Sequence, residues 1–486
     1  MVKELASNHF SPLFLYLQMR IALIWIAVAN WLLLLSVTVS EMNTIMSKDV
    51  ETYENYQIDS NTQSILDTNF VDKNNPSIFG SYLSFANKVR ELDKFLKPIL
   101  DWYYGLPKFW SNEGKRSIIK KKNKLEILTA IKSLQSYKSN SLRANKRRRN
   151  LFKSISKKQQ QIADDIGYLR KLLKVDELIE KNQDFLTNIA KYFIEKYEIR
   201  DEEFNILNKD ELTNNSPSKA NFRVVEALGH YFRDWSHESN KELGLILKYV
   251  TEELINIIPV EDREKTAVIV PGSGLGRVAH EIAEIGKNEV RFGSVHAVEY
   301  SGIMHICNEF IYSNKLKQKY FPFIHSYSNH MNDSTQIRSY YVDPQVPKPS
   351  NLYLHHDDFL LFEIPKLIKF ENVVVVSVFF IDTASNMLDY FDRIKYFCTI
   401  DGIQNGYWIN VGPLKYGSAP KVEFNFEEVN EIKKLTGWKD INRIETTNHE
   451  KFKNKFVGYM TDTMSLWQAF YSLCMWTSAR IENIKD

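Results

Sequence analysis

The carboxy-terminal half of this chain predicts an α/β fold, a mostly parallel sheet with crossover helices. Three observations carry that expectation. The apolar run Ala267 to Val270 leads directly into Pro271-Gly272-Ser273-Gly274-Leu275-Gly276-Arg277. A β-branched run, three glycines and helix-like sequence make a strand, a tight turn and a helix, and glycine permits φ > 0 and close approach of a ligand. From Lys265 onward, short apolar runs alternate with helical patterns, which calls for parallel strands joined by crossovers. Within that alternation, Val373 to Ile381 is almost wholly apolar, as a strand buried on both faces must be.

Taken in order, the first element is the run Ile21 to Val39, nearly apolar behind Arg20. It is long enough to span a bilayer. Two readings stand: a membrane anchor, or an extended gene model with Met42 or Met46 as the working start. Residues 43–80 are polar with little periodicity and read as a disordered linker. Residues 81–200 read as helical, with Leu92, Phe95, Leu96, Ile99 and Leu100 at steps of three and four. Trp102, Tyr103, Tyr104 and Trp110 form an aromatic patch beside them. Two basic runs, Lys115 to Lys124 and Arg143 to Lys158, are either solvated helix faces or a nuclear signal or nucleic-acid patch. An acidic and then Asn/Ser/Pro-rich stretch at 201–220 reads as a domain boundary. A helix over Phe222 to Ser239 follows, carrying Arg233-Asp234-Trp235.

Seven strands are then expected: Ala267–Val270, Ser294–Glu299, Leu352–Leu354, Val373–Phe379, Gly406–Asn410, Ile444–Thr447 and Trp467–Met475. No helical pattern separates the last two, so an antiparallel edge pair is expected there.

Bulk properties narrow the function. A net charge of +3 over 486 residues argues against a general nucleic-acid binder. Three cysteines, Cys307, Cys398 and Cys474, are too few and too scattered for a disulfide framework or a cysteine-rich metal site, which suits a reducing compartment. His355 and His356 are adjacent, so a strand would point them to opposite faces. No metal site is expected, nor a serine nucleophile elbow.

The chemistry-bearing residues sit at the ends of the expected strands. Glu299 closes the second strand, where an acid accepts hydrogen bonds from ribose hydroxyls of either NAD or S-adenosylmethionine. His355-His356-Asp357-Asp358-Phe359 closes the third; there a carboxylate and an aromatic ring suit an adenine amine and its face. Asn386, Asp389 and Asp392 recur every third residue on the helix after the fourth strand, one drifting polar stripe.

PGSGLGRVAHEIA, VEY, DDF, FFIDTASNMLDYFDRI and YWINVGPLKY together resemble the carnosine N-methyltransferase family, whose members methylate the imidazole of β-alanyl-histidine with S-adenosylmethionine. The resemblance runs from about Arg143 to the C-terminus. It implies a class I methyltransferase fold, a Rossmann-like seven-stranded sheet, over 221–486 with an N-terminal helical extension. It implies a cofactor site from His230, Arg233, Gly272, Gly274, Glu299, Asp358, Phe359 and Val378, with Arg233 on the methionyl carboxylate. His230 stands where a glutamine is common in the family.

On the acceptor side the resemblance implies Asp392 as first choice and Asp389 as second for the carboxylate that receives an imidazole N–H. Tyr459 and Tyr471 would hold the peptide carboxylate or pack on the ring, unless they are core tyrosines, and Tyr416 would line the site. Gly417 stands where several animal members carry a histidine.

The expected function is therefore methylation of carnosine or a related dipeptide to anserine. Alternatives are a protein-histidine N-methyltransferase, a dinucleotide-dependent oxidoreductase, and a catalytically dead tethered protein. The expected cofactor is S-adenosylmethionine. Expected partners are the dipeptide or a protein histidine, with a homodimer left open; neither metal nor nucleic acid is expected, and a membrane only through residues 21–39. The expected location is cytoplasm and nucleus, or a membrane if that run is inserted.

Overall fold

The computed structural model of the chain describes residues 123–207, 217–236, 240–313, 318–342, 346–364, 370–417, 419–445 and 457–480. The apolar run at 21–39, the linker at 43–80, the aromatic patch and nearly all of the first basic run lie outside them. Among the described residues no helix is long and apolar enough to cross a membrane.

The first described elements are helices α1 (Lys124–Phe152), α2 (Lys157–Asp165) and α3 (Tyr168–Tyr197). In α1, Ile127, Leu128, Ile131, Leu134 and Tyr137 are buried at steps of three and four; in α3 so are Leu172, Val175, Ile179, Phe185, Leu186, Ile189 and Phe193. Each helix therefore has one apolar stripe. The two run antiparallel: the Asn145 amide reaches Asp176 at 2.5 Å and the Lys138 N–H reaches Gln183 at 2.8 Å. Ser156 and Gln159 form a capping box that starts α2. This short helix buries none of its residues.

Helices α4 (Pro217–Trp235) and α5 (Asn240–Ile257) lead into the sheet. Val224, Leu228 and Tyr231 of α4 share one apolar cluster with Leu134 and Phe185. The stretch 201–220 thus separates elements along the chain but not cores, and residues 111–486 form one compact unit.

Strands β1 (Thr266–Pro271) and β2 (Ser294–Glu299), with helices α6 (Arg277–Glu284) and α7 (Gly302–Ile311), open the α/β part. A small antiparallel pair, β3 (Gln318–Tyr320) and β4 (Tyr340–Val342), flanks α8 (Asp333–Ile337) and has no counterpart among the expected strands. Then come β5 (Leu352–His356), β6 (Asn372–Val378), α9 (Met387–Phe397), β7 (Asn405–Gly412), α10 (Phe426–Leu435), β8 (Trp438–Glu445) and β9 (Cys474–Arg480). The seven-stranded sheet has the order β5-β2-β1-β6-β7-β9-β8. All its pairings are parallel except those of β9, which is antiparallel to both β7 and β8.

The expected edge pair is present, with shifted bounds. Of the expected Ile444–Thr447, Ile444 and Glu445 are the end of β8, which starts at Trp438, and 446–447 lie outside the described residues; Lys439, Ile441 and Arg443 face solvent, so the strand alternates and carries no apolar run. The expected Trp467–Met475 gives way to a segment that crosses the surface before β9 begins at Cys474; Leu466 and Trp467 are about two thirds exposed. Apolar composition there signals surface, not strand.

The two sheet faces have separate cores. Leu243, Ile246 and Leu254 of α5 cover one face with Val268, Val374 and Val376. Phe391 and Ile394 of α9 cover the other with Trp408 and Trp476. Chain order along the sheet reverses between β1 and β6, which opens a crevice at their C-terminal ends.

Candidate active site

That crevice is a cavity of about 530 Å³, within the range of about 300–1,000 Å³ typical of small-molecule sites. The glycine turn forms its floor. Gly272, Gly274 and Gly276 have φ of +58°, +54° and +76°, the left-handed region that glycine enters without a Cβ penalty. A Cβ on Gly272 would stand 2.4 Å from the Phe380 ring, and one on Gly276 would stand 2.5 Å from the Asn308 amide. A Cβ on Gly274 would meet nothing closer than His230 Nδ1 at 4.0 Å. The turn is thus packed from behind at two positions and open to the cavity at the third.

Glu299 closes β2 beside this turn. One carboxylate oxygen accepts the Gly274 N–H at 2.8 Å, the other the Ser301 N–H at 2.7 Å. Burial raises its pKa above the ordinary carboxylate value, against the pull of those two N–H groups. Asp358 accepts the Leu360 N–H at 2.9 Å, which holds the turn that carries Phe359. Phe359 meets Phe380 edge-on at 5.4 Å, and Phe380 stacks on Tyr390 at 4.4 Å. These rings make the apolar wall.

Helix α4 contributes Glu226, His230, Arg233 and Asp234 to the lining. Arg233 donates from Nε to Glu242 at 3.1 Å and from an Nη to Asp234 at 3.1 Å. Its guanidinium lies 4.6 Å from the centre of the Tyr459 ring. Burial alone would lower the Arg233 pKa; Asp234, Tyr459 and Glu242 outweigh it and raise it. His230 Nε2 lies 3.3 Å from the Tyr459 hydroxyl, while its Nδ1 stands 3.5 Å from Asp234. Burial pushes the Tyr459 hydroxyl up to about 12.

At the mouth, Asn386 caps α9 and donates from its amide to Asp389 Oδ1 at 2.9 Å. The second oxygen of Asp389 is left over for another donor. Phe379, at the end of β6, has φ +50°. A bulky residue rarely adopts that conformation; it stores strain of order 1–3 kcal/mol, and such strain clusters at ligand sites.

The cavity brings together most of the sequence-predicted residues: His230, Arg233, Gly272, Gly274, Glu299, Asp358, Phe359, Val378, Asp389 and Tyr459 all line it. Asp392, Tyr416 and Tyr471 do not. Asp392 is exposed one position further round α9. A step of three residues turns about 300° on a helix, so the stripe drifts away from the cavity. The Tyr416 hydroxyl is committed elsewhere, donating to the Phe424 carbonyl at 2.6 Å and accepting the Phe424 N–H at 2.9 Å. The Tyr471 hydroxyl accepts from Lys415 Nζ at 3.0 Å, and its ring lies edge-on to Phe379 with centroids 6.1 Å apart. A Cβ on Gly417 would meet nothing within 4 Å.

Sequence reading missed Tyr390, Asp234 and Glu242. Asp234 was legible only as part of Arg233-Asp234-Trp235, and Glu242 carried no signal, because a glutamate in the first turn of a helix is common for dipole reasons alone. Among the described residues no group of three or more His, Cys, Asp or Glu side chains could hold a metal. His355 instead meets His296 on one side of β5, and His356 stacks on His305 on the other.

The donor set fits S-adenosylmethionine. Ser273 Oγ is buried at the cavity wall without a hydrogen-bond partner, and such an atom calls for a polar ligand. The open side of Gly274 gives that ligand room.

Comparison with known protein sequences agrees. The family model described as carnosine N-methyltransferase matches residues 210–482. Over 357 residues the chain is 30% identical to the uncharacterized protein YMR209C of Saccharomyces cerevisiae, covering 67% of this chain and 75% of that one. It is 33% identical over 305 residues to the carnosine N-methyltransferase of Schizosaccharomyces pombe, covering 60% and 76%. Among solved structures, the magnesium protoporphyrin IX methyltransferase of Synechocystis with bound S-adenosylhomocysteine is 8% identical, with a TM-score of 0.27 over 48% of this chain and 81% of that one. The chain is a methyltransferase that uses S-adenosylmethionine and belongs to the carnosine N-methyltransferase family.

Proposed function

We propose that this enzyme methylates an imidazole nitrogen of β-alanyl-histidine, giving anserine. The observation that supports the reading is the Asn386–Asp389 pair, which lines the same cavity as the glycine turn.

When bound, S-adenosylmethionine supplies a methyl group on a positively charged sulfur. Glu299 would hold the ribose, Asp358 and Phe359 the adenine, and Arg233 the methionyl carboxylate. The protein's task on the acceptor is to present one ring nitrogen with a free lone pair. Imidazole has a pKa near ~6.5 and two neutral tautomers. Asp389, anchored by Asn386, accepts the N–H of one nitrogen and so selects the tautomer whose other nitrogen attacks. The lone pair of that nitrogen forms the new N–C bond, and the electrons of the breaking C–S bond return to sulfur. The ring becomes an imidazolium, which the same carboxylate stabilises. Its remaining N–H proton leaves to water after release. No stronger base is required, so orientation does most of the work.

The test is turnover of carnosine by the purified full chain with methyl-labelled S-adenosylmethionine, read by mass spectrometry. Labelled anserine is expected. Label carried only by proteins in a cell extract, with none in the dipeptide, would sink the reading in favour of a protein histidine.

A further inference from the structure

Glu242 lies at the start of α5, outside the cavity lining, and its side chain is 12% exposed. Every interaction it makes leads into the site. Oε1 accepts the Nε–H of Arg233 at 3.1 Å and the backbone N–H of Met460 at 2.8 Å. Oε2 accepts the backbone N–H of Thr461 at 2.9 Å. Those two N–H groups belong to the segment between β8 and β9 that carries Tyr459. Met460 sits at φ +56°, a conformation that a side chain with a Cβ disfavours and that persists only where surroundings hold it.

Tyr459 in turn covers the Arg233 guanidinium, reaches His230 with its hydroxyl and packs on Phe379 at 5.0 Å. The far end of the segment is tied separately. Asp462 pairs with Arg338 at 2.5 Å, and the Leu466 N–H meets the Asn329 carbonyl at 2.8 Å. Beside the direct contacts of Tyr459 with α4, Glu242 ties the backbone of this segment to Arg233.

The geometry points to Glu242 as a positioning residue that couples donor binding to acceptor binding: one carboxylate holds both Arg233 and the backbone that aims Tyr459. This rests on the reading that Arg233 faces the donor and Tyr459 the acceptor. Loading the donor fixes Arg233, Arg233 fixes the carboxylate, and the carboxylate fixes the turn at Met460 and Thr461. Charge matters as well as shape. Glutamine offers one acceptor oxygen and one N–H₂ where three donors converge, so one donor meets another.

The experiment is amide hydrogen exchange on the full chain, with and without saturating S-adenosylhomocysteine. In the unaltered protein the ligand should slow exchange across residues 457–463 by at least about tenfold. In Glu242→Gln that protection should fall below about threefold, while protection of the glycine turn at 270–278 persists. The KM values for S-adenosylmethionine and for carnosine should rise together by about tenfold, with kcat changed less, and Glu242→Asp should recover part of both. If Glu242→Gln does not fold, Glu242→Asp is read in the same way. Undiminished ligand-dependent protection at 457–463, or a rise in only one of the two KM values, would overturn the coupling. Absence of carnosine turnover by the unaltered protein would overturn the acceptor reading instead, and the exchange result would still decide the link from Arg233 to the Tyr459 segment.

Discussion

Asp389 and Asp392 lie on one helix, and exchanging each for asparagine tests whether the cavity-lining carboxylate, and not the surface one, serves the acceptor. Asp389 lines the cavity and is braced by Asn386; Asp392 is exposed outside it. An imidazolium about 4 Å from a carboxylate gains about 1 kcal/mol in bulk water and about 4 kcal/mol at the effective dielectric of a protein surface. Asp389 is itself exposed at the rim, so the lower half of that range applies before the acceptor arrives. The bound ring then excludes water and moves the pair toward the upper half. Asp389→Asn should therefore lower kcat/KM for carnosine by roughly 10- to 1,000-fold, at about 1.4 kcal/mol per factor of ten. Affinity for S-adenosylhomocysteine should stay within about twofold, because that ligand carries neither the transferable methyl nor the acceptor ring. Asp392→Asn should remain within about twofold on both counts. The assay is steady-state production of S-adenosylhomocysteine with the dipeptide, beside calorimetric titration of the same product. Equal losses in the two variants, or full activity in Asp389→Asn, would refute the assignment of the rim carboxylate.

Three further outcomes are expected. Gly274→Ala should destabilise the free protein by only about 1–2 kcal/mol, the conformational term, because its Cβ points into space; it should weaken S-adenosylhomocysteine binding by at least about tenfold, and equal affinity for the two proteins in calorimetry would be inconsistent with a donor on that turn. Tyr416→Phe removes the hydroxyl that ties Phe424 on both its N–H and its carbonyl; the melting free energy should fall by about 1–2 kcal/mol with the KM for carnosine unchanged, and a raised KM would return Tyr416 to the site. Burial holds His296, His325 and His356 at pKa values of about 4. Between that value and the unfolded value near ~6.5 the unfolded chain binds more protons, so stability rises with pH across this window. Melting temperature should fall as pH drops from about 6.5 toward 4, and replacing His325 by glutamine should flatten the profile.

The donor half of the site was legible because class I sheets place it by topology. A glycine turn after the first strand, an acid after the second and Asp358-Phe359 after the third are all tied to strand ends, and strand ends are what apolar runs reveal. The acceptor half was less legible. Asn386, Asp389 and Asp392 recur every third residue, and a linear pattern with that period cannot say which member faces in. The answer depends on where the helix starts, and Asn386 supplies it by capping α9 and accepting the Leu388 N–H. Tyr416 and Tyr471 sit beside strand ends and still miss the cavity, because loop tethers claim the hydroxyl of one and Lys415 holds the other. Glu242 was invisible for a different reason. Besides Arg233, its partners are backbone N–H groups more than two hundred positions away, and no local pattern encodes them.

That division between halves has a consequence for how this family can change acceptors. The residues proposed for the donor are set by the sheet and by glycines whose missing Cβ atoms are demanded at close range by Phe380 and Asn308. Little can vary there without moving the sheet. The acceptor face is built from a helix cap, a strained Phe379 and a segment held at its near end by one carboxylate. Gly417 shows the latitude: a Cβ placed there would meet nothing within 4 Å, so this position can gain or lose a side chain at its root without a clash. Acceptor preference should therefore follow substitutions at 417 and in the segment around Tyr459, while donor affinity follows neither. Gly417→His provides the direct case. If the open space beside Tyr416 belongs to the acceptor side, this variant lowers the KM for carnosine and leaves S-adenosylhomocysteine affinity unchanged. A shift in the second without the first would mean that the two halves are not separable in this way.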